Sequence, residues 1–187
     1  MSYYSVILGF NASSTARSPT VWNKEYSEKK INALMKPIDV NDEKEFEEKF
    51  AACLSDPECL GGAIAVPYKS IGAKLSITSN TSINCFFKRD KNKFIGINTD
   101  GQAAYECIKD IKNSFDYKNI LVLGNGATAH ALLETMKVDA ENQVVNYVRT
   151  IKESMSSLNI LQKKFDEIYD EEFNENTLIV NCTSVGG

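Results

Sequence analysis

A short glycine-rich segment is the first part of the sequence whose residue types and spacing could perform chemistry. Gly124, Gly126 and Ala129 form the pattern G-x-G-x-x-A. In such a pattern the first glycine permits a tight turn, the second lets a phosphate approach the backbone, and the small third residue lets a helix pack on a strand. The N-terminus of that helix would offer N–H groups and a positive dipole end to phosphates. We therefore expect a dinucleotide at the following residues: Gly124, Asn125, Gly126, Ala127, Thr128 and Ala129.

The elements that must hold this turn are indicated by the residues around it. The apolar run at residues 120–123 predicts a short strand buried on both faces. A helical apolar pattern begins at Ala131, and further strands are predicted at residues 143–148 and 177–182. A helix is expected to begin near Thr150, between these two strands. A strand, a glycine turn and a helix in this order are typical of a dinucleotide-binding unit with a parallel sheet.

The end of the second strand of this unit predicts which dinucleotide binds. A site for NAD usually carries Asp or Glu there, which holds the ribose 2′-hydroxyl. This sequence has Arg149 and Thr150 instead, with Lys152 just beyond. A guanidinium can hold a 2′-phosphate through two hydrogen bonds, so we expect NADP as the cofactor, bound in part by Arg149 and Thr150. The alternative is that Arg149 only caps the edge of the sheet.

The first hundred residues are predicted to form another α/β unit. Strands are expected at residues 3–10, 36–40 and 59–66, and helices at residues 19–34 and from Asn41 or Asp42 onward. The expected buried faces of these two helices are Val21, Trp22, Tyr26, Ile31 and Leu34, and then Phe46, Phe50, Cys53 and Leu54. Alternating strands and helices predict a parallel sheet with right-handed crossovers.

The stretch between the two units predicts a short helix, a hairpin and a longer helix. These elements are expected at residues 69–75, at 81–89 and 93–97 around a turn at 90–92, and at 99–111. The chain therefore divides most simply into two α/β domains, residues 1–100 and 101–187.

Composition narrows the classes of partner and compartment. A net charge of −4 provides no basic surface for nucleic acid. The five cysteines are scattered without a C-x-x-C pair, so we expect no metal site and reduced thiols in a cytoplasm. The first residues have no basic segment followed by a long apolar one, so we expect neither a secretion signal nor a membrane span.

Five stretches, in order along nearly the whole chain, resemble the shikimate dehydrogenase family. Residues 18–23 read SPTVWN, similar to S-P-x-x-H-N, and residues 61–69 read GGAIAVPYK, similar to G-x-N-V-T-x-P-F-K. Asn84 falls where the family has the Asn of I-G-A-x-N-T. Residues 96–101 match G-x-N-T-D-x in full, and residues 181–186 resemble N-A-T-x-x-G. Together with the glycine turn, these motifs point to common ancestry and to a substrate-binding catalytic domain followed by a Rossmann-like NADP-binding domain.

The resemblance implies an activity and a role for particular residues. It implies NADP-dependent interconversion of 3-dehydroshikimate and shikimate, or of a related hydroxylated ring acid, in aromatic amino-acid biosynthesis. Lys69 and Asp100 would form the catalytic pair, Ser18 and Asn84 would bind the substrate, and Thr183 would contact the cofactor. Alcohol oxidation requires removal of the hydroxyl proton, which a partly desolvated lysine can perform. The alternative is a surface lysine and a helix-capping aspartate. We expect a monomer or homodimer.

Departures from the family pattern keep a second class of function open. Ala16, Ala63 and Ala65 stand where the family has Ser, Asn and Thr, although Ser14 or Thr15 could replace the missing serine. A site that loses such hydrogen-bonding groups loses affinity for a hydroxylated ligand. The family also continues beyond the point at which this sequence ends, so we expect an incomplete second domain. These features favour the alternative of a non-catalytic ligand-sensing or regulatory protein, with a nonfunctional fragment as a third option.

Overall fold

The computed structural model describes residues 3–89, 93–137, 143–151, 160–183 and 185. The chain divides into two compact units, Met1–Thr99 and Asp100–Gly187. Each unit contains a sheet with parallel strands and helices between them, so the α/β class expected from the sequence is confirmed.

The first unit is built around five of the described strands in the order β2-β1-β3-β4-β5. Its elements are β1 (Tyr3–Gly9), α1 (Ala12–Thr15), α2 (Ser18–Glu28), β2 (Ala33–Asp39), α3 (Glu43–Ser55), β3 (Cys59–Ile64), α4 (Lys69–Leu75), β4 (Cys85–Lys88) and β5 (Phe94–Ile97). Strands β2, β1 and β3 are parallel, as the alternation of strand and helix predicted. Strands β4 and β5 add an antiparallel hairpin at one side. The expected turn at residues 90–92 lies outside the described residues.

Helix α3 follows its sequence pattern closely. The Asp42 carboxylate accepts the Glu45 backbone N–H at 2.8 Å and caps the first turn. Phe46 and Phe50 are buried, as expected, and stack with ring centroids 5.5 Å apart. Phe50 also contacts the ring of Phe94, and this aromatic cluster forms the core on one face of the sheet.

Helix α2 corrects the prediction for residues 19–34. It ends at Glu28, and Lys30 then takes a left-handed conformation with φ of 55°. The following residues pair with β1 as strand β2, because edge pairing to a parallel sheet stabilises them more than another helical turn would. The expected apolar buried face is also wrong: no residue of α2 is buried, and Ile31 and Leu34, beyond its end, are exposed. Helix α2 is tied to β2 through Asn23, whose side chain bonds both the N–H and the carbonyl of Met35.

The second unit contains four described strands in the order β8-β7-β6-β9, all parallel. Its elements are α5 (Asp100–Lys112), β6 (Asn119–Leu123), α6 (Ala127–Met136), β7 (Gln143–Val148), β8 (Leu161–Lys164) and β9 (Thr177–Asn181). Strand β8 was not expected, and residues 165–167 and 170–172 form short 3-10 turns. The helix expected after Thr150 falls mostly on residues 152–159, outside the described residues.

The burial of the strands in the second unit follows their position in the sheet. Ile120, Leu121 and Val122 of β6 are buried, as expected for a strand covered on both faces. Strand β9 was expected to be buried as well, but Ile179 is 45% exposed because β9 is the outer strand of the described sheet. Helices α5 and α6 pack closely at Gly101, where an added Cβ would lie 2.1 Å from the Ala131 carbonyl oxygen.

The described residues bear on whether the protein could hold a metal ion or cross a membrane. Within them, no cluster of three or more His, Cys, Asp or Glu side chains is arranged to hold a metal ion. None of the helices in these ranges combines the length and apolar character that crossing a bilayer requires. All five cysteines are described, and all are free thiols.

Candidate active site

The second unit offers a ligand site where its central strand ends. Strand β6 has β7 on one side and β9 on the other, so the chain leaves β6 in one direction and later returns on the opposite side. In open parallel sheets, such a switch point leaves a crevice at the carboxyl ends of the strands. The glycine turn directly follows β6 at this position.

The backbone of the turn explains the two glycines. Gly124 has φ of +107°, a conformation that side chains rarely adopt, and an added Cβ would lie 3.0 Å from the Cys182 carbonyl oxygen. At Gly126, by contrast, no described atom beyond its immediate neighbours in the chain lies within 4 Å of an added Cβ, so this side of the turn is open to an approaching group. Helix α6 begins directly afterwards, and Ala129 is fully buried against the sheet. This geometry fits a pyrophosphate at the helix N-terminus.

The ends of the neighbouring strands lie beside this turn. The side-chain amide of Asn125 donates to the Thr150 backbone carbonyl at 2.8 Å, which ties the turn to the end of β7. Arg149 precedes Thr150 and is exposed. From the other side, the Thr183 methyl group would lie 3.1 Å from a Cβ added at Gly124. The structure thus brings together the predicted residues of the glycine turn, of β7 and of β9, whereas Lys152 lies outside the described residues.

The first unit contains a cavity of about 490 Å³, and all the residues named as its lining belong to this unit. Ser18, from the start of α2, and Asn84, from the start of the hairpin, both line it. The other lining residues are Ser5, Trp22, Tyr26, Met35, Leu60, Gly61, Gly62, Ala63, Cys85, Phe86, Phe87, Ile97 and Thr99. Its volume falls in the range typical of small-molecule sites, and its wall is mostly apolar with a few polar groups.

Lys69 and Asp100 each begin a helix. Lys69 is the half-buried first residue of α4, and its backbone carbonyl accepts the Ile83 N–H at 3.0 Å, next to Asn84 in the chain. Among the described residues, those that line the cavity do not include Lys69. Asp100 is the first residue of α5, directly after Thr99. The catalytic roles of Lys69 and Asp100 stay predictions.

Comparisons with known proteins agree with the motifs. No protein-family model matches the chain. A curated shikimate dehydrogenase (NADP(+)) of Methanococcus vannielii is 26% identical over 186 residues, which cover 90% of this chain and 64% of that protein. Another, from Helicobacter hepaticus, is 31% identical over 106 residues, or 55% of this chain and 37% of that protein. The chain therefore spans less than two thirds of the length of these two relatives.

A solved structure extends the likeness to the fold. The crystal structure of shikimate 5-dehydrogenase from Listeria monocytogenes, in complex with shikimate and NAD, matches with a TM-score of 0.82 at 18% identity. The match covers 99% of this chain and 70% of that one. The resemblance to the shikimate dehydrogenases is confirmed.

Two departures from the shikimate dehydrogenase pattern fall on the cavity wall, whereas the described lining residues do not include Ala16 or Ala65. Ala63, where the family pattern has Asn, lines the cavity, and so does Trp22, where the pattern has His. Ser14 and Thr15, which could replace the serine missing at Ala16, are not among the described residues that line the cavity. Both hydroxyls donate to the Asn11 carbonyl, at 3.1 and 2.9 Å, within the turn of α1.

The sequence interpretation missed what the exposed face of α2 does. Trp22 and Tyr26, one helical turn apart, face the cavity with ring centroids 5.8 Å apart. The Tyr26 hydroxyl hydrogen-bonds the Ser5 hydroxyl at 3.0 Å across the cavity wall. The available signal was the four-residue spacing of two amphipathic aromatic residues, which places them on one side of a helix.

Proposed function

We propose that this chain is an NADP-dependent oxidoreductase that interconverts 3-dehydroshikimate and shikimate, or a related hydroxylated ring acid. The observation that carries the proposal is the convergence of the glycine turn, Arg149 and Thr183 at the carboxyl ends of three parallel strands. The relatives named shikimate dehydrogenase (NADP(+)) support the same reaction and cofactor. On this proposal residues 1–100 hold the substrate and residues 101–187 hold the dinucleotide.

The choice of NADP depends on the end of β7. Arg149 is exposed there beside the tied turn, and no Asp or Glu follows β7 up to Ile151. A guanidinium at this position attracts a 2′-phosphate, whereas an acidic residue would repel it. When bound, the reduced nicotinamide would supply the hydride. The protein's part is to orient the dinucleotide through the turn and the N-terminus of α6.

The substrate end of the site is assigned to the first unit. Ser18 and Asn84 would donate hydrogen bonds to polar groups of a ring acid in or beside the cavity. Lys69 would exchange a proton with the oxygen of the reacting carbon, and Asp100 would keep the substrate and the lysine in register. The adjacency of Lys69 to the Ile83–Asn84 backbone supports this arrangement.

A second candidate function is a ligand sensor without catalysis. It is favoured by Ala63, because this residue gives the cavity wall a methyl group where the family pattern has an amide. Such a wall retains space for a ring but offers it fewer hydrogen bonds.

Either function would place the protein in the cytoplasm, in aromatic amino-acid biosynthesis or its regulation. On either proposal the protein is a monomer or homodimer, with neither nucleic acid nor membrane as partner. The five free thiols support a reducing compartment.

One experiment separates these functions. The 187-residue protein is mixed with NADPH and 3-dehydroshikimate while the absorbance of the reduced nicotinamide is followed, and NADPH and shikimate are titrated separately by calorimetry. Turnover supports the oxidoreductase. Binding of shikimate without turnover supports the sensor. If neither ligand binds and no turnover occurs, both proposals are rejected.

A further inference from the structure

Asn146 is an unusual residue for the middle of a parallel strand. It lies in β7 among Val144, Val145, Tyr147 and Val148, and its side chain is 0% exposed. Central parallel strands are normally apolar because both faces are covered. Burying an amide without partners is costly, so a buried Asn must gain hydrogen bonds that hold specific neighbours.

The Asn146 side chain joins three strands. Its Nδ2 donates to the Val122 carbonyl at 3.0 Å and to the Gly124 carbonyl at 2.8 Å. Its Oδ1 accepts from Nε2 of Gln162 on β8 at 2.9 Å. Both amide hydrogens and one oxygen lone pair are therefore used, and two of these three bonds end on β6 or on the first residue of the turn.

These bonds determine how the first peptide of the turn faces. The Gly124 N–H donates to the Tyr147 carbonyl at 2.8 Å, and the Gly124 carbonyl accepts from Asn146, so β7 holds both backbone groups. The peptide between Gly124 and Asn125 is trans. In a trans peptide the carbonyl and the next N–H point in opposite directions. Because Asn146 draws the Gly124 carbonyl toward β7, the Asn125 N–H is directed to the other side of the peptide.

We propose that Asn146 is a positioning residue for dinucleotide binding, which acts through the Gly124 carbonyl. Asn146 holds the Gly124 carbonyl away from an incoming phosphate, so that the N–H groups of the turn face the phosphate. A free carbonyl at this point would rotate easily, because Gly124 has no side chain to restrain it. The identity of the ligand rests on the proposed function, but the effect on the turn does not.

The test compares two variants that break different bonds of the same side chain. Asn146→Leu keeps the branching and the number of heavy atoms of the side chain and removes all three bonds, including that to the Gly124 carbonyl. Gln162→Leu removes only the bond to Oδ1 and serves as the matched control. We expect Asn146→Leu to raise the Kd for NADPH about tenfold, which is the effect of about one lost hydrogen bond. Gln162→Leu should leave the Kd within about threefold while also lowering stability in urea.

A second readout needs no ligand. The backbone amide shifts and hydrogen exchange of Gly124, Asn125 and Gly126 are measured by NMR in both variants. The proposal expects these amides to change in Asn146→Leu and to remain as in the wild type in Gln162→Leu. Unchanged turn amides in Asn146→Leu, or equal changes in the two variants, would overturn it.

The outcomes also separate this inference from the proposed function. If the wild type binds no dinucleotide, the proposed function fails, and the amide measurements still decide whether Asn146 positions the turn. If Asn146→Leu does not fold, Asn146→Ser is measured in its place. A serine side chain at this position is too short to reach the Gly124 carbonyl, so we expect the same changes in the turn amides as in Asn146→Leu. A Ser variant with wild-type turn amides would reject the proposal.

Discussion

Asn84 holds Thr99 through both its side-chain oxygen and its side-chain nitrogen. Oδ1 accepts the Thr99 backbone N–H at 2.9 Å, and Nδ2 donates to the Thr99 hydroxyl at 2.9 Å. Both residues line the cavity, and Thr99 directly precedes Asp100. The residue expected to bind substrate therefore also positions the backbone that leads to the proposed catalytic carboxylate.

The two roles of Asn84 can be separated by substitution. Asn84→Ala removes both bonds, whereas Thr99→Val removes only those of the hydroxyl. We expect a loss of about 0.5–1.5 kcal/mol of unfolding free energy for each bond, measured by urea denaturation. If Asn84 also contacts the ligand, Asn84→Ala will weaken shikimate binding in calorimetry clearly more than Thr99→Val does. Equal weakening in the two variants would mean that Asn84 acts only through Thr99.

Lys69 is expected to move the substrate proton. Lys69→Ala should lower kcat roughly 10²–10⁴-fold, the usual range for a positioned acid–base group, without changing the Kd for NADPH. Lys74 is an exposed lysine on the same helix, so Lys74→Ala is the control and should leave kcat unchanged.

Asp100→Asn should also lower kcat, and the double variant should be little slower than the slower single one, because the effects of residues that act as a unit are not additive. Full kcat in Lys69→Ala would exclude this role.

Arg149 is expected to select NADPH over NADH. Arg149→Ala should raise the Kd for NADPH about 10- to 100-fold, since hydrogen bonds to a charged phosphate are strong, and should leave NADH binding nearly unchanged. Arg17→Ala, which changes an exposed arginine of the first unit, controls for the loss of net charge. Equal affinity of the wild type for both dinucleotides would contradict the role of Arg149.

The cavity wall predicts a gain of function at Ala63. Ala63→Asn places an amide where the methyl group lines the cavity, and it should tighten shikimate binding by about threefold to tenfold if the amide reaches a ring hydroxyl. Ala51→Asn, on the exposed side of α3, is a control without contact to the cavity. Weaker binding in Ala63→Asn would indicate a ligand that packs against this wall through apolar atoms.

Tyr4 and Asp56 predict a pH dependence of stability. The Tyr4 hydroxyl donates to the Asp56 carboxylate at 2.6 Å, and this bond, followed by that from the Glu58 N–H, holds the pKa of Asp56 below its usual value. A lowered pKa means that the folded state favours the carboxylate. Its stabilisation is thus present above the ordinary value of about 4 and is lost as the pH falls through the folded value.

Tyr4→Phe should therefore lower the Tm at neutral pH, and the difference from the wild type should shrink as the pH is lowered below about 4. Thermal unfolding at several pH values measures this difference. Tyr3→Phe, at the exposed neighbouring residue, should show no such trend. A Tm difference that is independent of pH would show that the hydroxyl acts without the Asp56 charge.

The sequence alone determined the elements whose signals are local. The strand, turn and helix around Gly124 follow from a short apolar run, the G-x-G-x-x-A pattern and a helical apolar pattern, all within a few residues. The Asp42 cap and the buried face of α3 were equally predictable, because capping and helical periodicity depend on neighbours three or four residues away. The motif order also indicated the resemblance to the shikimate dehydrogenases.

Tertiary structure decided what depends on partners far apart in the chain. The end of α2 at Glu28 follows from the pairing of β2 with β1, which no local pattern around residue 30 reveals. The Tyr26 hydroxyl lies at the cavity wall, where it forms a hydrogen bond with Ser5 of another element. The Asn146 side chain forms a hydrogen bond with the first residue of a turn that begins 22 residues earlier. A polar residue in the sequence shows only that hydrogen bonds are needed. Which atoms form them depends on strand register and order, and these are set when the sheets assemble.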